Sequence, residues 1–193
     1  VKIENWFGST FDRMTTDVLE RNDSALATFL KAIESSTDTA TRRSLVLKLI
    51  GHAHVFAGFS QVSVNDTVVQ ATLELFARGT YGDYISDKSR FLPLSNAQKL
   101  KLQLLTVIWL LEEGVTTHLS YSTLQKDLHC DDWRSVEDIL QSGSYAGLFT
   151  GKYCQQTQQW LNPVACMVRD ATENPREVLD PLVPLCDRLN EAH

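Results

Sequence analysis

The sequence predicts a mainly α fold: a repeat-like stack of helical hairpins, then a winged-helix subdomain with a small β-hairpin, then a C-terminal helix. Three observations carry this expectation. Consecutive segments of the first half hold apolar residues at helical spacing. The run Leu104 to Leu111 is apolar nearly all round, as in a helix contacted on several sides. Beyond Gly114 the rhythm changes to short strand, helix, helix and a pair of extended runs around a Gln-rich turn. The expected division is 1–114 for the helical-repeat part, 115–168 for the winged helix and 169–193 for the C-terminal helical segment.

Taken in order, the first helices are expected at Thr10–Glu20, Ser24–Glu34 and Asp38–Ile50, each opening on or near a Ser, Thr or Asp that can cap it. In "SALATFLKAIE" the residues Leu26, Phe29, Leu30 and Ile33 share one face. Polar breaks of a few residues between amphipathic helices suggest hairpins, each burying its face on the next. "TVVQATLELFA" predicts a helix over Thr67–Ala77, and Gly79 and Gly82 in "RGTYGDY" can end it and turn the chain. Ser95 caps the long central helix "SNAQKLKLQLLTVIWLLEEG".

The second half begins with strand-like residues in "HLS" and a short helix over Tyr121–Leu128. "DDWRSVEDILQSGS" is a further helix, capped by Asp131 or Asp132. Leu148–Cys154 and Gln159–Val164 are the extended runs of the wing. Pro175 to Ala192 is a helix candidate, broken or bent by Pro181 and Pro184.

Composition narrows the function. With 43% hydrophobic and 22% charged residues in 193, the chain can bury a real core. A net charge of -6 makes phosphate backbones and anionic membranes poor partners. No run of 18 or more apolar residues occurs and no signal pattern opens the chain, so cytoplasm and nucleus are the expected locations. Cys130, Cys154, Cys166 and Cys186 form no C-x-x-C pair and are expected as free thiols.

"HAHVFAGFSQVSVND" raises a metal question, because His52, His54 and Asp66 resemble the ligand run of a deubiquitinase-type metalloprotease. Such a site needs three ligands in a rigid pocket and a base for the bound water. Here eight residues separate His54 from Ser63, one more than that run has, and the pair follows the end of a helix instead of a strand. Two histidines at i and i+2 of a helix would point about 200° apart. No metal and no cofactor are therefore expected. A metal-dependent isopeptidase on His52, His54 and Asp66 stands as the alternative of another class.

Winged helices often read DNA, which this one is not expected to do. From Thr117 to Val168 the basic residues Lys126, Arg134 and Lys152 face five acids: Asp127, Asp131, Asp132, Glu137 and Asp138. Such a surface cannot supply the counterion release behind phosphate affinity. The wing "LFTGKYCQQTQQWL" is uncharged apart from Lys152 and rich in Gln and aromatics, which suits protein–protein contact. Phe149, Tyr153 and Trp160 could equally pack the module's own core.

The stretches "LELFARGTYGDYI", "LPLSNAQKLKLQLLTV", "LSYSTLQKDL", "VEDIL" and "YAGLFTGKYCQ", with Arg169-Asp170 after them, resemble the PCI-domain family of the proteasome lid, the COP nine signalosome and translation initiation factor three. Within it, the pattern is similar to the signalosome's seventh-subunit family from about Val55 to Asp170, while the first fifty residues carry little of it. The resemblance implies a non-catalytic scaffold subunit of a cullin-deneddylating complex in the ubiquitin pathway. It would assemble with other PCI subunits through its winged helix and place a C-terminal helix in a shared bundle. An initiation-factor or proteasome-lid subunit is the related alternative. Phe149, Tyr153, Gln155 and Gln156 are the expected contact residues, whereas Arg78, Tyr81, Asp83 and Tyr84 are expected to fix the turn between the helical part and the winged helix.

Overall fold

A computed structural model describes residues 4–113 and 117–170, with side chains from Thr15 onward. The expected helix over Pro175–Ala192 and the thiol of Cys186 lie outside the described residues.

The chain opens with one helix where the sequence suggested a pair: α1 spans Glu4–Ser35. The break expected around Asn22 does not occur. Asn and Ser end helices when their side chains compete for the local backbone, but the Asn22 side chain is directed elsewhere. Its Oδ1 accepts from the N–H groups of Phe56 at 2.7 Å and Ala57 at 3.1 Å, thirty-odd residues away. Ser24 leaves its carbonyl to the Thr28 hydroxyl and stays within the helix. Val18, Leu26 and Ile33 then point inward together.

α2, Thr39–Gly51, is capped by Asp38, whose carboxylate accepts from Thr41 N–H at 2.9 Å. Its buried residues Val46, Leu49 and Ile50 face α1 and the core. A loop with a short 3₁₀ turn at Phe59–Gln61 leads to α3, Thr67–Arg78. Gly58 sits there at φ 91°, a left-handed conformation that favours glycine.

Gly79 ends α3 and Thr80 opens α4, Tyr81–Ser86, through a reciprocal capping box with Asp83. The four residues expected to fix the turn into the winged helix sit at this junction, which lies inside the helical part instead: the helix Asn96–Glu113 still intervenes before the first strand. Asp83 closes the box, Arg78 is the last residue of α3, Tyr81 N–H donates to the Thr106 hydroxyl at 2.9 Å, and Tyr84 Oη accepts from Leu94 N–H at 3.3 Å.

α5, Asn96–Glu113, is the central helix. It packs against α2 and α4 on the earlier side of the chain. Leu102, Leu104, Leu105, Val107 and Ile108 are all buried, which explains a run without a polar face.

The winged helix follows. β1 is His118–Ser120, α6 is Tyr121–Leu128 with Ser120 as cap, and α7 is Trp133–Tyr145 with Asp132 as cap. β2, Phe149–Cys154, and β3, Gln159–Ala165, form the hairpin. All three strands pair antiparallel in the order β1-β3-β2, so β2 is an edge strand. α5 also contacts α6, α7 and β3, seating this module on the helical part.

The strand end is tied back as well. The Arg169 guanidinium donates to the Leu75 and Phe76 carbonyls at 3.4 and 2.9 Å. The Asp170 carboxylate accepts from the N–H groups of Gly58 and Ser60.

Candidate functional site

The wing is built around two aromatic rings that point inward. Phe149 on β2 and Trp160 on β3 are both fully buried and meet edge to face at 5.2 Å between ring centroids. Glycines make room for them: a Cβ at Gly143 would stand 2.0 Å from the Phe149 ring, and one at Gly151 would stand 2.1 Å from the Trp160 indole nitrogen. At Gly151 the β2–β3 register shifts, the irregularity that lets the strand pass over the indole. Phe149 therefore belongs to the module's own core, behind the surface on which the sequence placed it.

Tyr153, Gln155 and Gln156 are exposed at the end of β2 and in the turn after it. Tyr153 Oη lies 3.1 Å from the Ser144 hydroxyl on α7. Gln155 Nε2 donates to Glu137 at 3.2 Å, and the other oxygen of that carboxylate accepts from the Tyr121 phenol at 2.8 Å. Burial, together with that carboxylate, raises the Tyr121 pKa well above the ordinary phenol range. Tyr145, at the end of α7, is 84% exposed. The surface shared by α7 and β2 thus carries two exposed tyrosines set among Gln and Ser.

The paired imidazoles do come close, but not as metal ligands with Asp66. His52 is the C-cap residue of α2 with extended backbone, and His54 follows in the turn. The expectation of a 200° divergence assumed continued helix and is corrected here: the ring centroids are 5.8 Å apart. Asp66 is engaged at the start of α3, accepting from Val68 and Val69 N–H at 3.0 and 3.2 Å and facing Arg43 at 3.8 Å. Among the described residues no three His, Cys, Asp or Glu side chains are grouped to hold a metal ion. Cys130, Cys154 and Cys166 are free thiols.

Sequence reasoning missed Lys101. It is 6% exposed in the middle of α5, and its ammonium donates to the carbonyls of Ile50 and His52, both at 2.8 Å. The rings of Phe56 and Phe59 lie 5.2 and 5.3 Å from the nitrogen. Burial pushes its pKa down to about 7. Partial desolvation of His52, with His54 and Lys101 close by, lowers its pKa. Glu137 was read only as one of five clustered acids, since nothing local distinguishes it from Asp138.

A helical stack closed by a winged helix has the architecture of a PCI-like fold. No protein-family model matches the chain. It does resemble COP9 signalosome complex subunit 7. The Arabidopsis thaliana protein of that name is 36% identical over 132 residues, covering 63% of this chain and 50% of the relative. The Drosophila melanogaster subunit 7 is 29% identical over 161 residues, 75% of this chain and 57% of the relative. Mus musculus subunit 7a is 33% identical over 87 residues, 45% and 31% of the respective lengths. The chain spans about half the length of the first two relatives. Among the described residues no helix is long and apolar enough to cross a membrane.

Proposed function

We propose that the chain is a non-catalytic scaffold subunit of a COP9 signalosome, the cullin deneddylation complex, and that it joins other PCI-domain subunits through its winged helix. The observation that carries the reading is the agreement of two independent lines. The similarity to subunit 7 extends over 63 to 75% of this chain in the Arabidopsis and Drosophila relatives. The wing, at the same time, presents Tyr153, Gln155 and Gln156 beside the edge strand β2, with uncharged and aromatic chemistry suited to a protein partner.

In this reading Tyr153, Gln155 and Gln156 touch the partner, and Phe149 holds the strand from behind. Residues 1–114 form the helical-repeat spacer, 115–168 the contact module, and 169–193 a segment that enters a shared helical bundle. Nucleic acid and membrane take no part, no cofactor is used, and the complex works in cytoplasm and nucleus. Arg78, Tyr81, Asp83 and Tyr84 serve the junction between α3 and α4.

The test is affinity capture of the tagged full chain from cells, with the partners identified by mass spectrometry. Stoichiometric recovery of signalosome subunits is the expected result. Recovery of initiation-factor or proteasome-lid subunits instead would move the chain to another PCI assembly, and recovery of no PCI subunit would end the reading.

A further inference from the structure

The wing turn hangs on a single carboxylate. Glu137 lies on α7, half-buried, and bonds to two other elements: Tyr121 at the start of α6 and Gln155 at the start of the turn. Tyr121 is 1% exposed, and its own N–H donates to the Gln158 carbonyl at 2.9 Å. Gln158 N–H reaches back to the Gln155 carbonyl at 3.4 Å. Both ends of the segment Gln155–Gln158 are therefore fastened to one pair, Tyr121 and Glu137, from different helices. Two helical turns further along the same face of α7, Ser144 meets Tyr153.

The chemistry at position 137 is specific. An ionised carboxylate is acceptor-only, and here two donors approach its two oxygens. The neighbouring acids Asp131, Asp132 and Asp138 are exposed, and the Asp132 carboxylate is spent on capping its own helix through Ser135 N–H at 2.7 Å. Glu137 alone among these four bridges to the wing.

We propose that Glu137 is a positioning residue: its carboxylate fixes where Tyr153, Gln155 and Gln156 are presented and thereby sets the affinity of the wing for a partner winged helix. The affinity half of this rests on the wing being the subunit contact, as proposed above.

The experiment uses the full chain, with amide hydrogen exchange across 153–159 and affinity for the captured partner subunit measured side by side. Glu137→Ala is expected to speed exchange at the Gln158 amide about tenfold and to weaken partner binding about fivefold, and to lower the melting temperature by a few degrees because the buried Tyr121 phenol loses its acceptor. Gln155→Glu sets two carboxylates against each other and should also speed exchange. Combining Glu137→Gln with Gln155→Glu should slow it again, because the new amide can donate to the new carboxylate while its oxygen still accepts from Tyr121. A merely structural role for Glu137 would not produce that recovery. Unchanged exchange in Glu137→Ala, or a double variant no slower than Gln155→Glu alone, would overturn the positioning role. A wild-type chain that engages no PCI subunit would overturn the contact reading and the affinity half, while the exchange data still judge the position of the turn.

Discussion

Lys101 closes the C-terminus of α2: its ammonium donates to the Ile50 carbonyl at 2.8 Å across the α2–α5 contact, and to the His52 carbonyl at the same distance. The last carbonyls of a helix have no partner within it. A side chain from another helix supplies one here, which locks the first helical hairpin to the central helix.

Lys101→Ala should destabilise the chain by about 2–4 kcal/mol, since it leaves both carbonyls buried without a donor and opens a cavity. The loss should depend on pH. Burial lowers the lysine from 10.5 to about 7, so the folded state disfavours its charged form. The resulting penalty is fully present below about 7 and disappears as pH rises toward 10.5. The stability difference between wild type and Lys101→Ala, read from urea denaturation, should therefore grow from pH 7 to pH 9. A difference that shrinks over that interval would contradict the assignment.

Asn22→Ala should cost about 1–3 kcal/mol, because the Phe56 and Ala57 N–H groups lose their acceptor at a site 2% exposed. Helical content should barely change, as α1 does not depend on that side chain. Thermal unfolding followed by circular dichroism measures both.

Gly143→Ala drives a methyl group into the Phe149 ring and should cost about 1–3 kcal/mol. Pairing it with Phe149→Leu should lose less than the sum of the single changes, because the smaller side chain vacates the contested space. Additive losses in chemical denaturation would show that the contact is not the cause.

Asp66→Ala should cost about 1 kcal/mol as a lost helix cap, and Asp66→Asn less. Elemental analysis of purified wild type should find well under one zinc per chain, and His52→Ala or Asp66→Ala should leave that content unchanged. About one zinc per chain, lost with Asp66, would revive the isopeptidase reading.

These residues also show what a sequence can carry. The periodicity of α3 and α5, the caps Asp38 and Ser95, the choice of Asp131 or Asp132 as a cap, and the strand–helix–helix–hairpin order were legible, because each is local, whereas Asp66 was weighed only as a metal ligand and caps α3 instead. The unbroken α1 was not: Asn22 reads as a break until its acceptor is seen to serve the loop at Phe56. Lys101 drew no notice in the sequence, and only the approach of the α2 terminus gives it a role. The closeness of His52 and His54 was misjudged for a similar reason, since a helical spacing was applied to residues that had left the helix. On the wing, chemistry was legible and direction was not. Phe149 and Trp160 face inward because Gly143 and Gly151 leave them room, a pairing no spacing rule announces.

The most direct test of the wing as subunit contact is site-specific photo-crosslinking within the assembled complex. A photoreactive residue at Gln156 should crosslink to another PCI subunit, whereas one at Val68, exposed on α3, should give no such product. Crosslinks from Val68 with none from Gln156 would contradict the account.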